Sequence, residues 1–121
     1  MFGIKLGAKA RGSWRDITPS ELQRRLGAAE RPRVVDVREL DELDGELGRI
    51  EGVEHVPLGT LPEASAGWSR QDEIVVVCRS GGRSARAAEL LATQGFTLIQ
   101  NLAGGMLAWN AAGLPVVRRG R

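Results

Sequence analysis

The sequence predicts an α/β fold in which an open, mainly parallel sheet has helices on both faces. Short runs of β-branched residues alternate with amphipathic stretches of roughly 8–13 residues, which is the pattern of βα units. The chain has 121 residues, enough for one domain that buries a single core without disulfides or a structural metal. It contains no apolar stretch of about 18 residues and no signal peptide with a long apolar segment, so we expect neither membrane insertion nor secretion.

The first predicted helix begins after Thr18, whose hydroxyl can cap it. A proline follows at the first helical position and a glutamate stands three residues after Thr18, which is the pattern of a capping box. Leu22, Leu26 and Ala29 then recur at helical spacing. We therefore expect a short amphipathic helix here, the first element that the pattern predicts.

A strand and an irregular helix are predicted next. Residues 33–37 (RVVDV) form a brief β-branched run that ends at the polar Arg38, which favours a buried strand. Residues 40–50 place leucine and isoleucine at helical spacing, but Gly45 interrupts the pattern. We expect a short, irregular helix in this segment.

The middle of the chain predicts two small elements. Residues 53–56 (VEHV) form a short strand that Pro57 stops. Residues 58–68 are expected to form one or two helical turns followed by a loop, because Pro62 and Gly67 interrupt the apolar pattern.

The last part of the chain predicts two further βα units. The apolar run 74–77 leads through a glycine-rich turn into a helix over 85–91, for which Gly95 is the expected C-cap. Residues 97–102 form another strand, and the last helix covers 106–112 before a glycine and a proline end it.

Three turns follow strands in this scheme, at 36–39, 78–84 and 103–105. In an open parallel sheet the carboxyl ends of the strands lie at one edge, and ligands bind there. We therefore expect these three turns to meet at that edge.

Cys78, the single cysteine, stands where the apolar run breaks into the glycine-rich turn. A free thiol has a pKa of about 8.5, and helix N-termini and nearby cations lower it to roughly 3.5–7.5. Gly81 and Gly82 allow backbone N–H groups to approach the sulfur, and Arg79 and Arg83 are close in sequence. The alternative is a small buried core residue, but the position favours a reactive thiolate.

Charge and cysteine content exclude several functions. The chain has a net charge of +2, but residues 1–15 and 118–121 are basic while the remainder carries 15 acidic and 10 basic residues. Short charged termini are usually solvated, so we expect no nucleic-acid binding. One cysteine cannot form an internal disulfide, and His55 is the only histidine, so no metal site is expected and a reducing cytoplasm is the natural setting.

Four segments together resemble the single-domain rhodaneses, a family of sulfurtransferases. They are VDVRE at 35–39, GRIEGVEHVPL at 48–58, VCRSGGRS at 77–84, and LAGGMLAW at 102–109 with GLP at 113–115. One departure is visible, because the family commonly has Gly-His-Ile-Pro-Gly where this chain has GRIEG. The resemblance implies a rhodanese-like domain over 16–117, a basic N-terminal extension over 1–15 and a basic tail over 118–121.

The resemblance implies a double-displacement reaction without a metal or organic cofactor. A thiolate at Cys78 would take the outer sulfur of a small anionic donor such as thiosulfate and become a persulfide. A thiophilic acceptor, cyanide in an assay or a thiol or carrier protein in the cell, would then remove that sulfur. The loop residues expected to bind the persulfide or the substrate are Arg79, Ser80, Gly81, Gly82, Arg83 and Ser84.

Individual side chains have competing roles. Arg79 and Arg83 are expected to donate hydrogen bonds to an anionic substrate, although Arg83 could instead point to solvent. Ser84 either bonds the sulfur or only caps the helix. Asp36 and Arg38 are expected to form a structural salt bridge at the rim of the site.

Two other functions remain open. Cysteine phosphatases and arsenate reductases also hold an anion in a cysteine loop, but their pattern has five residues between cysteine and arginine. Here four residues separate Cys78 from Arg83, and Ser84 stands where the longer pattern needs arginine. The other alternative is a regulatory or sulfur-relay module that uses the same fold.

Overall fold

The computed structural model describes residues 13–118, which form an α/β fold around one five-stranded sheet. All four strand pairings are parallel, and the strand order is β1-β5-β4-β2-β3. The predicted fold class is therefore confirmed. Most of the predicted basic segments, 1–12 and 119–121, lie outside the described residues. The strands are β1 (Arg15–Ile17), β2 (Arg33–Asp36), β3 (Glu54–His55), β4 (Glu73–Val77) and β5 (Leu98–Leu102).

The helices are short and connect the strands in βα units. The longest begins within the glycine-rich turn, three residues earlier than the sequence predicts. The bounds are α1 (Pro19–Leu26), α2 (Leu40–Leu43), a 3₁₀ turn (Leu58–Thr60) that leads into α3 (Leu61–Ser65), α4 (Gly82–Thr93) and α5 (Gly105–Ala111).

Three local features differ from the sequence-based expectation. Strand β1 was not predicted, because three residues are too few for a periodic pattern to appear. Helix α2 is only four residues long and does not extend to residue 50. Pro62 does not interrupt a helix but lies in the first turn of α3, where a missing N–H costs no hydrogen bond.

Helices cover both faces of the sheet, as predicted. Residues of β4 alternate between the two faces, since side chains along a strand point in opposite directions. Ile74 and Val76 pack with α3 and α4, while Val75 and Val77 pack with α1 and α5. Both clusters consist of buried hydrophobic side chains, so β4 is packed from two sides. No helix within residues 13–118 is long and apolar enough to span a membrane.

The three predicted turns meet at the carboxyl edge of the sheet. The N–H of Val37 donates to the carbonyl of Val77 at 2.9 Å, and the N–H of Met106 donates to the carbonyl of Cys78 at 2.9 Å. The turns after β2, β4 and β5 are thus hydrogen-bonded to one another around the cysteine.

Candidate active site

Cys78 follows the last residue of β4, and the chain then turns sharply into α4. Gly81 adopts a left-handed conformation with φ of 106°, which glycine reaches without steric cost. This conformation aims the Gly81 N–H at the Sγ atom of Cys78, at 3.1 Å. The hydroxyl of Ser84, in the first turn of α4, lies 3.3 Å from the same sulfur. The sulfur therefore sits at a helix N-terminus among hydrogen-bond donors, an arrangement that stabilises an anion.

The loop lowers the pKa of Cys78 below that of an ordinary thiol. Burial raises this pKa, since the residue is only 1% exposed. Hydrogen bonds from the Ser84 hydroxyl and from the amides of Ser84, Gly81 and Ser80 act in the opposite direction and outweigh burial. Cys78 thus packs in the core through its carbon atoms and presents its sulfur to the amides. The two interpretations made from the sequence, a buried core residue and a reactive thiolate, therefore each describe part of this residue.

The turn after β5 fixes the loop from behind. The N–H groups of Met106 and Leu107 donate to the carbonyls of Cys78 and Arg79 at 2.9 and 3.0 Å. This contact requires Gly105, which has a φ of 59°. A Cβ atom at this position would lie 2.5 Å from both carbonyl oxygens. The carbonyls of the loop are therefore bonded to α5, while its amides face the sulfur.

Asn101 is a buried polar residue of the site that the sequence analysis did not identify. Its Oδ1 atom contacts the Ser84 hydroxyl at 2.5 Å, and its Nδ2 atom donates to the carbonyl of Gly81 at 3.2 Å. Because Nδ2 must face that carbonyl, Oδ1 faces Ser84 and can only accept. The one proton of the Ser84 hydroxyl can therefore serve either Asn101 or the sulfur of Cys78. The signal for Asn101 in the sequence was the presence of a polar residue within a buried strand.

Asp36 and Arg38 form a completely buried ion pair in the turn after β2. Arg38 Nε and Nη2 donate to Asp36 Oδ1 and Oδ2 at 2.9 and 2.8 Å, and the side chains are at most 1% exposed. The guanidinium also donates to the carbonyls of Gly48 and Glu42 at 2.8 and 3.3 Å. His55 Nε2 donates to the Arg38 carbonyl at 2.7 Å. Neither member of the pair is hydrogen-bonded to Cys78.

Arg83 does not extend freely toward the site. Its Nη1 and Nη2 atoms donate to Glu42 Oε1 and Oε2, both at 2.8 Å. The hydrogen bonds from Arg83 hold the pKa of Glu42 at about 2 despite partial burial. No local pattern indicated a role for Glu42, because it precedes Arg83 by 41 residues. The two loop arginines therefore differ: within residues 13–118 Arg79 is exposed and makes no ion pair.

The remaining loop residues contribute backbone. Ser80 is exposed, and its amide, not its hydroxyl, acts on the sulfur. Gly82 begins α4 and has no atom near the position of a Cβ. A cavity of about 550 Å³ lies against Trp109 and is lined by no loop residue. No group of three or more potential metal ligands occurs among residues 13–118.

Comparisons of sequence and of structure with known proteins indicate the same family. A model of the rhodanese-like domain matches residues 18–112. A "Sulfurtransferase" of Allochromatium vinosum is 33% identical over 102 residues, covering 84% of this chain and 94% of that protein. The crystal structure of a rhodanese-like domain protein from Staphylococcus aureus superposes with a TM-score of 0.74 at 31% identity, covering 85% of this chain and 98% of that one.

A third relative is longer. The Bacillus subtilis "Putative sulfur carrier protein YrkF" is 34% identical over 94 residues, which are 78% of this chain but 50% of that protein, so the chain spans half of it. The names of these relatives support sulfur transfer at the level of the family. With a matching domain model, a matching fold and a cysteine loop in which the amides face the sulfur, the chain belongs to the rhodanese-like domain family.

Proposed function

We propose that this protein is a sulfurtransferase that carries sulfane sulfur on Cys78 as a persulfide. The observation that carries the proposal is the position of the Cys78 sulfur, 3.1 Å from the Gly81 amide and 3.3 Å from the Ser84 hydroxyl at the start of α4. These donors favour the thiolate over the thiol, and the thiolate is the nucleophilic form of cysteine.

The first half-reaction loads the cysteine. The Cys78 thiolate attacks the outer sulfur of a donor such as thiosulfate, the sulfur–sulfur bond of the donor breaks, and its electron pair leaves with sulfite. The product is a persulfide anion on Cys78. Preorganised amides can stabilise this anion as they stabilise the thiolate, so the negative charge stays within one ring of donors throughout the step.

The second half-reaction unloads it. A thiophilic acceptor attacks the outer sulfur of the persulfide, and the electron pair of the sulfur–sulfur bond returns to Cys78 as thiolate. Cyanide serves as acceptor in an assay, and a thiol or a carrier protein is the cellular acceptor. Neither step requires a metal or an organic cofactor, and no net proton is taken up.

Intact-mass spectrometry tests both steps. Incubation with thiosulfate should add one sulfur atom to the protein, and cyanide should remove it with formation of thiocyanate. Cys78→Ser should abolish the mass gain, while Ser80→Ala, which removes only an exposed hydroxyl, should retain it. A mass gain in the Cys78→Ser protein would contradict the proposal.

Sulfur relay to another protein is a second candidate, and the single cysteine favours it. Without a second thiol in the chain, the persulfide has no internal resolving partner, so the sulfur must pass to another molecule. A persulfidated protein mixed with a reduced thiol protein should transfer its sulfur without added cyanide. A phosphatase or arsenate reductase is disfavoured, because only four residues separate Cys78 from Arg83 and because the guanidinium of Arg83 is paired with Glu42. Hydrolysis of a phosphotyrosine-like ester, without thiocyanate formation, would reverse this order.

A further inference from the structure

Glu42 binds the guanidinium of Arg83, the loop arginine that lies in the first turn of α4. Both outer nitrogens of Arg83 donate to its two carboxylate oxygens at 2.8 Å, so the planar fork that would bind an oxyanion is already filled. Arg83 is close enough to Cys78 for the charge of the thiolate to raise the pKa of the arginine further, after the larger effect of Glu42. The ion pair is therefore part of the entrance to the site.

The carboxylate is held from the protein side as well. Glu42 Oε1 accepts the N–H of Glu39 at 2.9 Å, and Arg38 donates to the Glu42 main-chain carbonyl at 3.3 Å. Moving the carboxylate away from Arg83 would also break its hydrogen bond to the Glu39 amide. An anionic substrate that needed Arg83 would have to displace a fixed competitor.

The net positive charge beside the loop is consequently low. Glu42 remains ionised at neutral pH, since its pKa is about 2, and it cancels the charge of Arg83. A small cavity of about 190 Å³ beside the pair is lined by Glu42, Glu46 and Arg79 among others. Within residues 13–118, Arg79 is the one loop arginine that makes no ion pair. Of the two loop arginines only Arg79 is left to bind a donor, and Glu46 lines the same cavity, so this part of the site is a poor receptor for a dianion.

We propose that Glu42 is a specificity-determining residue that disfavours dianionic sulfur donors and selects donors with at most one net negative charge. This inference rests on the proposed sulfur transfer through Cys78. Thiosulfate carries two negative charges, whereas an alkanethiosulfonate has the same sulfonyl-bound sulfane sulfur and only one. Both would load Cys78 in the same way: the thiolate attacks the outer sulfur, the sulfur–sulfur bond breaks, and the electron pair leaves with sulfite or with a sulfinate. The two donors differ mainly in charge at the entrance.

The test is a charge series of donors with one reacting group. The probes are thiosulfate, methanethiosulfonate and the zwitterionic 2-aminoethanethiosulfonate, with net charges of about −2, −1 and 0 near neutral pH. The rate of persulfide formation on Cys78 is measured by intact mass for the wild type, Glu42→Gln and Glu42→Ala. We expect kcat/KM for thiosulfate to rise about five- to tenfold in both variants, for the monoanion about twofold, and for the zwitterion hardly at all. The rise should shrink as salt is added.

Glu46→Gln is the matched control, because it removes the same charge from the same cavity but leaves the fork of Arg83 filled by Glu42. It should change the ratio of thiosulfate to zwitterion rates by less than half of the effect of Glu42→Gln. An unchanged ratio in both Glu42 variants overturns the inference, while persulfide formation in the wild type keeps the proposed function. Loss of persulfide formation with all three donors in the variants alone would show that Glu42 only positions the loop, which also overturns it. Absence of a persulfide in the wild type with every donor would refute the proposed function itself.

Discussion

The turns that follow β2 and β4 lie side by side at the same edge of the sheet, and each contains an arginine paired with a carboxylate. In the turn after β2, Arg38 and Asp36 are at most 1% exposed and bond only to protein. In the turn after β4, Arg83 and its partner Glu42 are 38% and 28% exposed. Similar chemistry therefore occurs in two environments, one buried and one partly exposed to solvent.

The difference in burial determines whether each ion pair affects the stability of the protein or its preference among donors. A buried ion pair is destabilising to break, because the remaining charge has neither water nor partner. A half-exposed pair contributes little to stability, because water screens it, yet it still affects the charge that an approaching donor meets. Breaking the pair in the turn after β2 is therefore expected to lower the free energy of unfolding. Breaking the pair in the turn after β4 is expected to change the rate of the reaction.

Breaking the buried pair should have the largest effect. Asp36→Ala leaves the Arg38 guanidinium buried without its counter-ion, so the free energy of unfolding should fall by about 3–5 kcal/mol. Urea unfolding measures this loss. If Asp36→Ala and Glu42→Gln lowered stability equally, the distinction between the two turns would be wrong.

A methyl group at Gly105 should affect the turn after β4 through its main chain. The added Cβ of Gly105→Ala would contact the carbonyl oxygens of Cys78 and Arg79 at 2.5 Å, and a positive φ costs a non-glycine residue about 1–3 kcal/mol. We expect a loss of stability in that range and a larger proportional loss of persulfide formation, because the loop must move. Gly113→Ala separates the two causes, since its φ is 73° but no atom lies within 4 Å of its Cβ. Equal loss of activity in both variants would contradict the contact with the loop.

Removing the Ser84 hydroxyl should raise the pKa of the thiol and also leave Asn101 Oδ1 without its hydrogen bond from Ser84. Ser84→Ala removes a hydrogen bond that lowers the pKa of Cys78, so the pKa should rise. Hydrogen bonds to charged groups contribute about 1.5–3 kcal/mol, so alkylation by iodoacetamide at a fixed pH below the pKa should slow by roughly tenfold. The rate rises with pH in both proteins, with the midpoint at higher pH in the variant. An unchanged midpoint would mean that Ser84 donates only to Asn101.

The exposed pair should give the smallest change in stability. Glu42→Gln should lower the free energy of unfolding by no more than about 1 kcal/mol at neutral pH. The pKa of Glu42 is lower in the folded protein, about 2, than its ordinary value of 4.5, so the unfolded chain binds the proton more readily. The stability difference between wild type and variant is therefore fully present above about pH 4.5 and decreases as the pH falls toward 2. A difference that grew at low pH would contradict the ion pair.

Local pattern predicted most of the elements, because strand β4, helix α4 and the loop between them are contiguous in sequence. The loop around Cys78 needs only a strand end, Gly81 and a helix start. What escaped prediction depends on distant partners. Glu42 meets Arg83 only after α2 and α4 are brought together, and Asn101 reaches Ser84 only because β5 pairs with β4. Strand β1 is regular only through its pairing with β5.

The bonding of the loop carbonyls to α5 has a consequence for how such a protein can diversify. Peptide amides are the same whatever side chain accompanies them, so the groups that hold the sulfur do not depend on the identities of residues 79, 80 and 83. Since the carbonyls of Cys78 and Arg79 are held by the N–H groups of Met106 and Leu107, side chains at those three positions can be exchanged without releasing the sulfur from its amides. Substrate preference can thus drift through substitutions on the outer surface of the loop while the reacting centre is inherited unchanged.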